Sequence, residues 1–278
     1  MDNLGIIAQS NMVDLPSGRF HYLSWGTEQT GHACMLLLHG ITSSALSWVR
    51  VGPTLANRYR VYAFDMRGHG DSVKPAPGAY SLRETADDAV AFMQALDLQE
   101  PVLIGHSWGG ATALVQASGA GSTQPAPAFS RIILEDPALD FGRGNAEERA
   151  ATFTKDIGRP AEELRPELWA NSPGWTAADI EGKIDALSKV SREAVISVFA
   201  EAGQTGSLLP LLARLPAPTL LIRADPALGT TMDEAVWGDA RRSLPPNSRA
   251  VQIDGATHNI HRGTFEAFMQ VVDDFLGS

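Results

Sequence analysis

Short apolar runs recur along the chain, each closed by turn-forming residues. They read RFHYLSWG (19–26), ACMLLLHG (33–40), RVYAFDMRG (60–68), PVLIGHS (101–107), RIILEDP (131–137), PTLLIRADP (218–226) and RAVQIDG (249–255). Several are nearly continuous in apolar character, the pattern of strands buried on both faces of a parallel sheet. Between them lie segments with helical spacing. Residues 81–98 open with Ser81 and Glu84, a capping-box pair, and place Ala86, Ala89, Val90, Met93 and Leu96 on one face. Residues 264–276 do the same with Phe265, Phe268, Val271, Val272 and Phe275. This alternation predicts an α/β fold with a doubly wound, mostly parallel sheet. The two earliest runs, 5–14 and 19–26, are joined by LPSG and predict an opening hairpin.

The rhythm breaks once. Residues 139–215 carry no strand pattern and read as short helices separated by RPAEELRP, NSPGW and AGQTGS. They are expected to form a small helical cap, inserted into a core made of residues 1–138 and 216–278. Pro216 and Pro218 mark the return to the sheet.

Composition narrows the class. A chain of 278 residues has room for one such core with its insertion. Hydrophobic residues at 44% and charged residues at 19% describe an ordinary soluble globule. The net charge of −10 argues against a nucleic-acid partner, which calls for clustered Lys and Arg. No uninterrupted apolar stretch is long enough to span a membrane, and MDNLGIIAQSNMVD lacks the basic, apolar build of a leader. Cys34 is the only cysteine; it precedes MLLL and is expected in the core, with a cytoplasmic location for the protein. No heptad or exposed apolar face nominates an oligomer interface.

The chemistry concentrates in VLIGHSWGG (102–110). Gly105-His106-Ser107-Trp108-Gly109 fits G-x-S-x-G between a strand and a small-residue helix. A sharp strand-to-helix turn strains the serine backbone, and side chains two residues away on either side would collide. Glycines remove the collision, and the helix start offers N–H groups to a developing anion.

Four motifs then fall in order: LLLHGITSS (36–44), FDMRGHGDS (64–72), GHSWGG (105–110) and DGATH (254–258). With them the whole chain, cap included, resembles the α/β-hydrolase fold superfamily. The resemblance implies Ser107 as nucleophile and His258 as general base, a base near neutral pH being what a serine hydroxyl needs. It implies an oxyanion hole from the backbone N–H groups of Ile41 and Trp108. It also implies that His39 and His69 brace loops and that His106 packs beside the nucleophile. His21 and His32 lie in segments expected at the surface. His261 is spaced to share a metal with His258, but no acidic or cysteine cluster accompanies the pair, so neither metal nor cofactor is expected.

The triad acid is less plain. Its usual position in the superfamily follows the strand at 218–223, where IRADPALGTT puts Ala227 in the acid's place and Asp225 two residues early. The other position is the end of the strand before the cap, where RIILEDP offers Glu135 and Asp136. Adjacent residues there point in opposite directions, so at most one faces His258. One subgroup of haloalkane dehalogenases and the hydrolase of acetamidomethylenesuccinate place their acid at this strand end, and that resemblance favours Asp136. Asp225 stays the rival and Glu135 a third choice. Helix capping by Asp136 and turn capping by Asp225 are the structural alternatives.

The nucleophile bounds the reaction. Dehalogenases and epoxide hydrolases of the superfamily use an aspartate there, whereas Ser107 implies attack on a carbonyl and acyl transfer to water. Ile41, Trp108, Phe141, Trp169 and Trp175 are the expected pocket walls, with Phe153, Leu164 and Leu168 as further candidates. Arg143, Arg159 and Arg165 are expected to be solvated. The expected activity is hydrolysis of small to medium, largely apolar carboxylic esters. A lactonase is the nearest alternative, and an amidase or a carbon–carbon bond hydrolase would use the same triad. A non-catalytic member binding a small ligand in the same cavity is the reading from another class.

Overall fold

The computed structural model describes residues 7–120, 128–141 and 145–277. Residues 5 and 6 of the expected first run, and Arg143, lie outside these. An opening hairpin, β1 (Gln9–Leu15) and β2 (Gly18–Trp25), leads into β3 (Ala33–Leu38), α1 (Val51–Leu55) and β4 (Tyr59–Phe64). Next come α2 (Leu82–Ala95), β5 (Val102–His106), α3 (Trp108–Ala117) and β6 (Arg131–Glu135). A run of helices follows: α4 (Ala146–Thr154), α5 (Ala161–Asn171), α6 (Ala177–Lys189), α7 (Arg192–Ala202) and α8 (Leu209–Leu212). The chain closes with β7 (Thr219–Arg223), α9 (Glu234–Ser243), β8 (Arg249–Gln252), α10 (Ile260–Gly263) and α11 (Phe265–Leu276).

The strands form one sheet in the order β1-β2-β4-β3-β5-β6-β7-β8. β1, β2 and β4 pair antiparallel, and every pairing from β4 through β8 is parallel. The continuous apolar runs are explained by burial on both faces. Leu36, Leu38, Leu103 and Leu134 point into one core with α2 and α3, while Met35, Leu37, Ile104 and Ile133 point into another with α1 and α11. Cys34 is buried as expected, and burial pushes its thiol pKa up, away from reactivity. Ser81 and Glu84 form the capping box that opens α2. Among the described residues no helix is long and apolar enough to cross a membrane.

Two features of this architecture place the site. The chain passes from β3 to β4 on one side and then crosses back to β5 on the other, so the carboxyl ends of β3 and β5 flank the point where strand order reverses. Loops diverge there and leave a crevice. The helices between β6 and β7 supply its roof. Their stem is zipped by an antiparallel bridge between Asp140 and Ser207 and by Leu208 N–H donating to Leu139 O at 2.8 Å. Ser191 N–H donates to Gly68 O at 2.9 Å, and Lys183 Nζ donates to Thr42 O at 2.8 Å, tying the roof to the loops after β4 and β3.

Candidate active site

Ser107 sits between β5 and α3 with φ 54° and ψ −114°, a conformation forbidden to ordinary residues. The flanking glycines show what such a turn demands. A Cβ at Gly105 would lie 2.4 Å from Gly109 O, and one at Gly109 would lie 2.3 Å from Leu38 O on the neighbouring strand. Backbone therefore packs directly on backbone around the serine. Ser107 N–H donates to Glu135 O at 2.9 Å, which pins the turn to the end of β6.

His258 follows β8 and meets the serine from a residue 151 positions away, its Nε2 lying 2.9 Å from Ser107 Oγ. Its Nδ1 lies 2.7 Å from Asp136 Oδ2. An ionised carboxylate only accepts, so the ring proton sits on Nδ1 and Nε2 is left to accept from the hydroxyl. Asp136 is fully buried, with a positive φ of 38° that turns it away from the direction of Glu135. Its carboxylate accepts from Thr230 Oγ1 at 2.5 Å, Thr231 N–H at 3.1 Å and Ala224 N–H at 3.3 Å. Thr230 and Thr231 escaped the sequence reading. They belong to the loop after β7, so the loop where an acid was sought holds the donors for an acid arriving from β6.

The rival carboxylates are employed elsewhere. Asp225 is half-buried and accepts from Gly255 N–H at 2.8 Å and Ala227 N–H at 2.9 Å, bonds that hold its pKa down, the first of them bracing the turn ahead of His258. Glu135 is buried and binds His261, accepting from its backbone N–H and from its Nδ1–H, each at 2.9 Å. Burial raises the Glu135 pKa and drives that of His261 well below the ordinary imidazole range. His261 Nδ1 is thereby committed to a carboxylate and not to a ligand shared with His258.

Four further histidines, His39, His69, His106 and His21, brace the frame. His39 Nε2 accepts from Met66 N–H at 3.1 Å, and His69 Nε2 accepts from Thr42 N–H at 3.3 Å. His106 stacks on His258 with ring centroids 4.7 Å apart and donates from Nε2 to the His258 carbonyl at 2.9 Å. Burial keeps all three neutral by lowering their pKa values. His21 is not at the surface as expected: it is buried, with Nδ1 2.7 Å from Asp65 Oδ2, because β2 runs inside the sheet between β1 and β4.

A cavity of about 380 Å³ opens over Ser107 and His258. Ile41, Trp108, Phe141, Phe153, Trp175 and Phe199 give it mostly apolar walls. Trp169 is not among them; it is 49% exposed. The phase of α5 explains the miss: Leu164 and Leu168, one turn apart, face the cap's own small core, and the next residue is rotated by about 100° away from them. Leu164 and Leu168 are accordingly cap packing and not pocket wall. Arg159 and Arg165 are tied on the surface to Glu167 and Glu181. Arg149, which the sequence reading passed over, does reach the cavity, its guanidinium 5.0 Å from the Phe199 ring centroid. Trp108 is the first residue of α3, where the N–H has no acceptor within the helix. Ile41 and Trp108 both line the cavity beside Ser107.

Comparison with known proteins agrees with this frame. N-formylmaleamate deformylase of Pseudomonas putida is 27% identical over 93% of this chain and 92% of its own. The magnesium-chelatase 30 kDa subunit of Rhodobacter capsulatus is 30% identical over 91% of each chain. Among solved structures, E-2-(acetamidomethylene)succinate hydrolase superposes with a TM-score of 0.81 at 20% identity, over 98% of this chain and 100% of that one. At that identity the likeness speaks for the fold. A family model for the α/β hydrolase fold matches residues 34–262, and with that span covered the chain belongs to the α/β hydrolase fold family.

Proposed function

We propose that this hydrolase cleaves carboxylic esters of small to medium, largely apolar substrates through a serine acyl-enzyme. The observation that carries the reading is the unbroken chain Ser107–His258–Asp136, with links of 2.9 and 2.7 Å, opening into an apolar cavity. His258 takes the hydroxyl proton as Oγ attacks the carbonyl, and the acid stabilises the imidazolium that forms. The tetrahedral oxyanion accepts from the N–H groups of Ile41 and Trp108, preorganised donors of the kind worth about 3 kcal/mol each in such sites. His258 then protonates the leaving alcohol, and a water activated by the same imidazole releases the acid.

A cavity of about 380 Å³ is sized for a small substrate. Lactones and amides remain within reach of the same groups, and the amide reading draws support from the relative named as a deformylase. The relative named as a chelatase subunit keeps the binding reading alive. A cytoplasmic location accords with a single buried, unreactive thiol.

The test is a panel of acyl esters, lactones and amides ranked by kcat/KM, with Ser107→Ala as control and a phosphonate probe for the hydroxyl. Ester turnover and labelling that both vanish in Ser107→Ala support the reading. A folded protein inert to every substrate and to the probe supports the binder.

A further inference from the structure

A second recess, of about 90 Å³, adjoins the apolar cavity and shares Ile41, Ser107, Trp175 and His258 with it. Its far wall is of another kind. Lys183 enters from α6 and Arg262 from α10, and both line the recess. Arg262 is 1% exposed, its guanidinium lying over the Trp175 ring at 4.5 Å from the centroid. It donates to Ser43 Oγ at 3.2 Å, while its Nε has no partner among the described residues. Lys183 Nζ donates to Thr42 O and Oγ1 at 2.8 and 2.9 Å, which leaves its third proton free.

Neither cation has an ion-pair partner among the described residues. The carboxylates whose charge acts most on Arg262, Asp179 and Glu135, form no ion pair with it, although Asp179 Oδ1 has no hydrogen-bond partner among the described residues. Asp179 caps α6 through Thr176 and pairs with Arg50, and Glu135 holds His261. Asp156, which faces Lys183, is bonded to Arg159. Two cations held away from bulk water without a direct ion pair are costly in a folded protein. Burial lowers both pKa values, to about 10 for Arg262, against the pull of Asp179 and Glu135, and to about 7 for Lys183, where the charge of Arg262 adds to the effect.

Resting on the hydrolase reading above, we infer that this recess is a carboxylate subsite: Lys183 and Arg262 bind an anionic group of the substrate while Ser107 attacks a carbonyl beside it. The volume corresponds to about three waters at roughly 30 Å³ each, room for a carboxylate and one or two methylenes. The preferred substrates are therefore short half-esters or half-amides of dicarboxylic acids, with the leaving group or remaining acyl portion in the apolar cavity. Charged and neutral substrates of one shape differ only in what these two side chains can recognise.

The test compares monomethyl succinate with methyl 4-methylpentanoate, in which an isopropyl group replaces the carboxylate, by methanol release. Wild-type protein is expected to favour the succinate ester. In Lys183→Met and Arg262→Met the ratio of kcat/KM values, anionic over neutral, is expected to fall about 10- to 100-fold, and Lys183→Arg to recover part of it. Because Arg262 is buried, Arg262→Lys and far-UV circular dichroism accompany Arg262→Met. A purely structural role for the two cations would lower both activities together. A wild-type enzyme that cleaves the neutral ester without favouring the anionic one, or a ratio unmoved in Lys183→Met, overturns the subsite and leaves the hydrolase reading standing. If neither ester is cleaved, the ester reading falls alone and calorimetry with monomethyl succinate decides. Binding by wild type that is lost in Lys183→Met supports the subsite; no binding by wild type overturns it.

Discussion

Asp136 reaches His258 across 122 residues of chain, Oδ2 to Nδ1, at 2.7 Å. Asp225, much nearer in sequence, instead accepts from Ala227 N–H in its own turn and from Gly255 N–H in the turn that precedes the histidine. The two aspartates should therefore separate cleanly. Asp136→Asn, which favours the wrong imidazole tautomer, is expected to lower kcat on a para-nitrophenyl ester by about 10³- to 10⁴-fold. Asp225→Asn should stay within a few-fold of wild type and cost mainly stability. Equal losses in the two variants would remove Asp136 from the mechanism.

The glycines around the serine support a second expectation. Gly109 lies so close to β3 that a methyl group would sit 2.3 Å from Leu38 O and 2.5 Å from His39 O. Central strand backbone has nowhere to retreat, so Gly109→Ala should destabilise by about 3 kcal/mol in urea unfolding. Gly119 is the control: its φ is +67°, but a Cβ there would meet nothing within 4 Å among the described residues. Gly119→Ala should cost only the backbone strain, about 1 kcal/mol. Comparable losses at both positions would mean that the close approach at Gly109, whose φ is not positive, is relieved by local relaxation.

The parts of this site that were legible in the chain are those marked by local patterns or by family resemblance. Ser107 stands out because its turn excludes Cβ atoms nearby, whereas His258, framed by a strand, a Gly-Ala-Thr turn and a helix, took its role from the resemblance. The acid stayed open between Asp136 and Asp225, with Glu135 behind because it must point away from Asp136, and the preference for the strand end rested on resemblance. Thr230, Thr231, Lys183 and Arg262 left no such mark. Each acquires its role from a contact made by a distant segment, as when Lys183 meets Thr42 across 141 residues. Trp169 was misplaced because α5 contains Pro166 and carries its apolar residues in a weak pattern, so its inner face could not be phased from spacing alone.

Acid should unfold the protein through its buried histidines. His39, His69, His106 and His261 all have folded pKa values below the ordinary 6.5, that of His69 being about 3. Below pH 6.5 the unfolded chain takes up protons that the folded chain refuses, so stability falls as pH drops. Asp65, whose pKa is lowered by its histidine and backbone partners, adds to the loss below its ordinary range. Glu135, raised by burial, opposes it by holding a proton in the folded state. The urea midpoint should therefore decline steeply from pH 6.5 downward. His69→Gln, whose amide can keep both ring hydrogen bonds, should reduce the slope by one proton, about 1.4 kcal/mol per pH unit. An unchanged slope would show that His69 is not excluded from protonation.

Lys183 connects the proposed carboxylate subsite to pH. Burial is the largest cause lowering its pKa, the flanking Arg262 adds to it, and Asp156 opposes them, which leaves the value at about 7. His39 and His69 also feel its charge but are themselves held neutral by burial. Below pH 7 the recess carries two cations, and above it only Arg262. The ratio of kcat/KM for monomethyl succinate over methyl 4-methylpentanoate should accordingly fall as pH rises through about 7. Effects on the chemistry common to both esters cancel in the ratio, and kcat/KM reports the free enzyme, so a bound carboxylate does not displace the midpoint. In Lys183→Met the ratio should be low and flat from pH 6 to 9. A flat ratio in the wild-type enzyme would mean that the lysine does not sense the substrate's charge, whatever the recess holds.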